Sequence, residues 1–493
     1  MKYLYTNQQA KEIDTHAIQT VGMSGAVLME KAAMSAVAVI TARESKKKHI
    51  LSVCGTGNNG GDGIATARIL HEMGYMTAVT VLGQTERMTE ETKKQLEIAI
   101  GCQVPVLPLS SIEEQHFDVM IDGIFGIGLS RNVEGVYKQI IHDMNESGSD
   151  IYSLDIPSGI HGTNGFVMGE AVRARCTITF GVNKLGLTLF PGCEYAGEVI
   201  VADIGFPNVS VQSIVSPFYH YELNDLPSLI PFRPARSHKG TFGKILVVAG
   251  CETMSGACFL AAKAAYTAGA GLVRVISTDN NRDVLLSALP EILFSSRKQL
   301  AEGMEWADAI LIGPGLGLTE EAEEMLRFLL EHSPVPTVID GDGIRICSKI
   351  TDRLTDNFIL TPHVKEMSYL TGMSVRELQQ DMVETTREGA EQWGCILVQK
   401  DAKTVVSDGK ECYINLSGNS GMATGGSGDV LAGIIAGLLG QGMEPFAAAK
   451  LAVYIHGLAG DAMIQETGSY GLMASDLIKG LHKVFTIQEG SVN

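Results

Sequence analysis

No two cysteines of this chain form a Cys-x-x-Cys pair. The nine are scattered singly and their total is odd, so neither a disulfide framework nor a structural zinc site is expected. Basic charge is also in deficit: 38 Lys and Arg face 56 Asp and Glu, a net charge of −18. That balance excludes broad binding to nucleic acid or acidic membranes. Local clusters such as Lys46-Lys47-Lys48 read as solvated surface. No apolar run is long enough to span a bilayer, the 430–439 segment being short and rich in glycine. The first residues, Met1 to Gln9, lack the apolar centre of a signal peptide. A cytoplasmic protein with reduced thiols and no membrane partner is expected.

What the chain has in quantity is glycine, 55 of 493 residues, concentrated in short loops after apolar runs. The length calls for two domains or three. In the first half, His49–Cys54, Thr77–Leu82, Phe117–Ile121, Ile151–Leu154 and Thr177–Phe180 read as strands. Gly55–Gly61 reads as a loop and Asp62–Met73 as a helix. Residues 208–222 show no convincing periodicity and are assigned to a linker, giving domains 1–212 and 222–493. A second series then begins: strands at Lys244–Ala249, Leu272–Ile276, Ala309–Ile312, Thr337–Ile339, Phe358–Leu360 and Ile396–Gln399. Helices are expected at Ser255–Thr267, Asp429–Leu439, Pro445–Glu466 and Ser475–Phe485. The fold class is α/β in both halves, with mostly parallel sheets covered by helices.

Thr424-Gly425-Gly426-Ser427-Gly428-Asp429 runs straight into an apolar helical segment. Glycines let backbone N–H groups approach an anion, and the helix start adds unpaired donors. An aspartate beside such a cradle repels phosphate, so a second task is implied, namely taking a proton from an attacking hydroxyl. A structural turn with a capping Asp is the alternative. Gly55-Thr56-Gly57-Asn58-Asn59-Gly60-Gly61-Asp62-Gly63 is neither a P-loop nor a dinucleotide fingerprint, yet it too suits an anion. Asp122 and Asp155 end two neighbouring strands, where ligands gather in parallel sheets, although either alone reads equally as a loop cap. In the second half, Gly313-Pro314-Gly315-Leu316-Gly317, Thr361-Pro362-His363 and Lys400-Asp401-Ala402-Lys403-Thr404 follow strands. Asp340 and Asp342 offer oxygen atoms for Mg²⁺. His363 alone is uninformative, and Lys400 and Lys403 read either as phosphate contacts or as surface lysines.

These motifs, in this order, resemble the bifunctional NAD(P)HX epimerase/ADP- or ATP-dependent NAD(P)HX dehydratase family, which repairs hydrated NADH and NADPH. Asn58-Asn59-Gly60-Gly61-Asp62-Gly63, Asp122 to Gly128 and Leu154 to Gly159 are similar to the epimerase motifs. Ser255-Gly256-Ala257, Gly269 to Val273, Gly313 to Gly317, Leu360 to His363 and Gly425 to Asp429 are similar to the dehydratase motifs.

The resemblance implies a Rossmann-like three-layer N-terminal domain and a ribokinase-like C-terminal one. It implies that Asn58, Asn59, Gly60, Gly61, Asp62, Gly126, Ile127, Gly128, Leu129, Ser130, Arg131, Asn132, Tyr137 and Asp155 bind the hydrated dinucleotide. Asn59, Asp122 and Ser158 would hold K⁺. Ala257, Gly315, His363 and Asp429 would meet the hydrated substrate in the second domain. Lys400, Asp401, Ala402, Lys403, Thr404 and Gly428 would meet ADP or ATP, carried with Mg²⁺. Asp429 and Asp155 are the catalytic candidates, and a homo-oligomer is expected. The chain departs from the family pattern at Val364-Lys365, Asp401, Gly341, Gly343 and Ser427. A ribokinase-like kinase for a small alcohol and a non-catalytic nucleotide sensor are the alternatives.

Overall fold

The computed structural model describes residues 1–351 and 353–490, which fall into two compact units, Tyr3–Phe218 and Met1–Lys2 with the described residues from Tyr219 onward. In the first unit, short apolar, β-branched runs form a six-stranded sheet. Its order is Met76–Val81, His49–Cys54, Val119–Gly123, Asp150–Leu154, Cys176–Phe180, Glu198–Ala202, all parallel. Such strands are buried on both faces, so they carry continuous apolar runs rather than alternation. Helices Gly25–Thr41 and Asn58–Glu72 bury Leu28, Ala32, Val37, Ile40, Ile64 and Leu70. His49–Cys54 is paired on one side with the strand that follows it in the chain and on the other with Val119–Gly123. The chain thus reverses its direction across the sheet between these two strands, and such a crevice is where open α/β sheets bind ligands.

In the second unit the parallel series runs Leu293–Ser296, Leu272–Ser277, Lys244–Val248, Ala309–Ile312, Thr337–Ile339, Phe358–Leu360, Ile396–Gln399. Val405–Ser407 and Cys412–Ile414 then continue it antiparallel. Reversal here lies between Lys244–Val248 and Ala309–Ile312, where Gly250 N–H donates to Pro314 O at 2.9 Å. Helix Ser427–Gly440 is buried from Val430 to Leu439 and packs on Ser255–Thr267. Glycine is required at that contact: a Cβ on Gly433 would stand 2.2 Å from Ala261 O, and one on Gly437 2.6 Å from Ala265 O.

One sequence expectation is corrected. The helix after His49–Cys54 begins at Asn58, not Asp62, so Asn58 to Gly61 form its first turn rather than a loop. Glycine disfavours helix intrinsically, but packing overrides it. A Cβ at Gly60 would be 1.9 Å from Gly55 O, and one at Gly61 2.5 Å from the Met29 side chain. Residues 208–222 hold a five-residue helix, Asn208–Gln212, and a three-residue strand, Phe218–His220. Elements that short carry no readable period.

Candidate functional site

At the reversal point of the first unit lies a cavity of about 620 Å³. Asn58, Asn59, Asp62, Gly126, Ile127, Gly128, Leu129, Tyr137 and Asp155 line it, as the motifs anticipate. Ser130, Arg131 and Asn132 do not; they are exposed beyond its lining. Gly60 and Gly61 are buried beneath, where they allow the helix start to close on Gly55. Neither amide atom of the buried Asn59 side chain has a partner among the described residues. A buried unpaired amide costs free energy unless a ligand completes it.

Asp122 lies wholly buried behind this cavity. Its carboxylate accepts hydrogen bonds from Ile124 N (3.2 Å), Ser153 Oγ (2.8 Å), Ser158 N (2.8 Å) and Ser158 Oγ. Ser158 Oγ in turn accepts from Phe125 N at 2.8 Å. Burial raises the Asp122 carboxyl above the usual range, and the serine and backbone donors partly offset this. Asp122 and Ser158 therefore join the Ile124–Gly126 loop to the Asp155–Gly159 loop.

Asp155 follows strand Asp150–Leu154 with φ +65°, a left-handed conformation uncommon for a residue with a Cβ. Its backbone N–H donates to Ile178 O at 2.8 Å, and its side chain meets Lys184 Nζ at 2.5 Å. Lys184 is only 2% exposed and also donates to Thr179 Oγ1 (3.0 Å) and Phe180 O (2.9 Å). Sequence reading did not single out Lys184 or Asp14, which also lines the cavity from helix Asn7–Thr15. Burial and the Asp155 charge raise the carboxyls of both Asp14 and Asp62, with Lys184 opposing.

The second unit gathers its residues at the corresponding sheet end. Gly426 has φ +91°, and a Cβ there would be 2.5 Å from Leu260. Helix Ser427–Gly440 begins next, placing Asp429 in its first turn. Its carboxylate makes no hydrogen bond or ion pair among the described residues. Burial, then Asp340, push it up to about 7 against the pull of Lys400. Lys400 Nζ pairs with Asp340 Oδ1 at 2.6 Å, which also accepts from Thr361 Oγ1 at 2.6 Å. A Cβ on Gly428 would stand 3.2 Å from Lys400 Nζ, so lysine and glycine loop adjoin. Glu366, 4.0 Å from that ammonium, is pushed up to about 7 by burial.

His363 caps helix Val364–Thr371. Its Nδ1 accepts from Lys365 N (3.1 Å) and Glu366 N (3.3 Å), leaving the proton on Nε2, 3.5 Å from Glu366. Burial and Lys400 lower its pKa, so it is neutral near pH 7. Gly315 and Ala257 adjoin: a Cβ on the former would be 3.1 Å from that of the latter. Asp401 and Ala402 are exposed, and Asp401 Oδ1 accepts from Ala402 N at 2.7 Å. Lys403 Nζ reaches Leu416 O at 3.5 Å, and Thr404 Oγ1 donates to Asp401 O at 3.2 Å. Asp342 is occupied by Gly317 N at 2.9 Å. His456, unforeseen, is buried under the loop with Nε2 3.4 Å from Ser427 Oγ; burial takes its pKa to about 4.

Residues 25–186 match the family described as YjeF-related protein N-terminus, and residues 245–483 match NAD(P)H-hydrate dehydratase. A bifunctional NAD(P)H-hydrate repair enzyme of Thermofilum pendens is 37% identical across 96% of this chain and 94% of its own length. The corresponding Escherichia coli enzyme is 31% identical, covering 96% and 92%. A Bacillus subtilis ADP/ATP-dependent NAD(P)H-hydrate dehydratase, crystallised with ATP and Mg²⁺, is 31% identical with a TM-score of 0.50. That match takes in 55% of this chain and 98% of the other. Both family matches and the nearly full-length relatives lead to one conclusion: the chain belongs to the family of bifunctional NAD(P)H-hydrate repair enzymes.

Proposed function

We propose that this chain repairs hydrated NADH and NADPH at two separate sites. The first unit interconverts the R and S hydrates, and the second dehydrates the S form with ADP, giving AMP, or with ATP. The observation that carries this reading is the Asp429 carboxylate, unpaired and half-buried in the first turn behind the glycine loop. In the hydrate, the hydroxyl stands on the carbon beside the ring nitrogen. Asp429 takes its proton as the oxygen attacks the terminal phosphate, and backbone donors of Gly425 to Gly428 meet the developing charge. A Cβ on Gly425 would have no protein neighbour within 4 Å, which leaves the approach to this backbone open. Phosphate then departs as the N1 lone pair forms C6=N1; a C5 proton passes to water, the C5–H pair becomes C5=C6, the C6=N1 pair returns to N1, and the reduced ring is restored.

Ala257, Gly315 and His363 are assigned to the hydrated substrate in this site. Lys400, Asp401, Ala402, Lys403, Thr404 and Gly428 are assigned to the nucleotide. Among the described residues, no three His, Cys, Asp or Glu side chains are gathered as a metal cage. Mg²⁺ therefore fits best as an ion carried on the nucleotide phosphates. In the first unit, Asp155 is assigned the proton transfer and the cavity-lining motifs the dinucleotide. The free amide oxygen of Asn59, with Asp122 and Ser158, is a donor set suited to K⁺. Bound there, the ion would neutralise charge beside the substrate phosphate.

A cytoplasmic homo-oligomer belongs to the same reading. Exposed Phe232 and Tyr470 offer apolar surface for such an assembly. Light scattering on the purified chain tests the oligomer. Return of NADH absorbance from hydrated NADH, on addition of ADP or ATP, tests the activity; no return with either nucleotide contradicts it.

A further inference from the structure

The first cavity holds more proton-carrying groups than the motifs assign. Asp14 lines it from helix Asn7–Thr15, a segment that precedes the matched residues 25–186. The helix is capped by Thr6 and buries Ala10 and Ile13, so Asp14 neither caps it nor packs its core. Its carboxylate, half-buried, makes no hydrogen bond or ion pair among the described residues. The fold gains nothing evident from a charge there. Asn59, 9% exposed and also without partners, lines the same cavity, which marks the space as one completed by a polar ligand.

Resting on the epimerase reading of this cavity, we propose that Asp14 is a catalytic acid that works with Asp155 on the C6 hydroxyl. Inversion at C6 requires oxygen to leave one face and return to the other. In one direction Asp14 gives its proton to the hydroxyl. The C6–O bond breaks, the N1 lone pair forms C6=N1, and water departs. A water molecule then adds to the other face: its oxygen bonds C6, the C6=N1 pair returns to N1, and its proton passes to Asp155. The net result is inversion with one proton moved from Asp14 to Asp155. The reverse conversion starts from that state, so a single shared proton serves both directions. Lys184 beneath Asp155 lets the cavity hold this charge in either location. Burial and then the Asp155 charge raise the Asp14 carboxyl, which favours its protonated form.

The other titratable groups facing the cavity are Lys11, Asp62, Glu91, Tyr137, Asp155 and Lys184. The test uses the full chain without nucleotide, so that only epimerisation runs. Separated R and S hydrates are followed by chromatography across pH. For Asp14→Asn the expected result is a fall in kcat of about a hundredfold, with KM changed less than threefold. The wild-type rate should decline on the alkaline side as Asp14 loses its proton, and the variant should lack that limb. Asp14→Glu should restore part of the rate and the limb. An Asn variant with kcat within threefold, with only KM altered, or with the alkaline limb intact overturns the proposal. Absence of epimerisation in the wild type would instead overturn the reading of the cavity itself.

Discussion

Of the carboxylates proposed to carry the chemistry, Asp429 and Asp155 have surroundings that differ in a way that sets different experiments. Asp429 is pushed up to about 7 by burial and Asp340. A carboxyl serving as proton acceptor works only when ionised, so dehydration should rise with pH through about 7 and level off above it. Asp429→Asn should reduce nucleotide-dependent dehydration by about a hundredfold or more while leaving epimerisation intact. Unchanged turnover in that variant would remove Asp429 from the mechanism. Asp155 is instead bound to the buried Lys184 at 2.5 Å. Removing one partner of a buried pair costs about 3–5 kcal/mol, because the other is left uncompensated. Lys184→Met should therefore lower the melting temperature of the first unit as well as its epimerisation rate, and a melt unchanged from wild type would show the pair to be structurally idle. The sequence pointed to Asp429 because it stands beside a glycine cradle at a predicted helix start, and to Asp155 because it follows a predicted strand in an acid-plus-glycine loop. Lys184 and Asp14 carry no such mark. Lysine is the commonest surface type, and only the three-dimensional burial of its ammonium against Asp155 sets this one apart.

Among the elements, apolar runs of even three or four residues were readable where a motif-bearing loop follows them. Ala309–Ile312, Thr337–Ile339, Phe358–Leu360 and Ile396–Gln399 form as their apolar runs predict, as does helix Ser255–Thr267. The antiparallel strands Val405–Ser407 and Cys412–Ile414 were not foreseen, because the polar residues around them, Lys403-Thr404 and Asp408 to Glu411, make the whole stretch read as loop. The helix start at Asn58 was hidden for another reason. Its Gly60-Gly61 pair has loop propensity, and only contact with Gly55 and Met29 makes glycine necessary inside a helix. Close backbone approach governs the second unit as well. Gly433→Ala would press a methyl against Ala261 O, where 2.2 Å separates them. We expect it to destabilise the second unit by about 1–3 kcal/mol in denaturant unfolding. A variant as stable as wild type would show that the two helices can separate without cost.

At the scale of the whole molecule, each of the two compact units has its own sheet and reversal point, and each is proposed to carry its own site. Cutting the chain within residues 208–222 should yield two soluble fragments, each keeping its own activity. Insoluble fragments, or activity restored only on mixing, would show that the units depend on each other. Joint action of the sites is the central claim, and one time course addresses it most directly. A mixture of R and S hydrated NADH is given to the full chain with ADP or ATP, and NADH absorbance is followed to completion. The account predicts that wild type converts the whole mixture rapidly. Asp155→Asn should stop after a burst equal to the S fraction and continue only slowly. Complete rapid conversion by Asp155→Asn, or no return of absorbance in the wild type with either nucleotide, would contradict it.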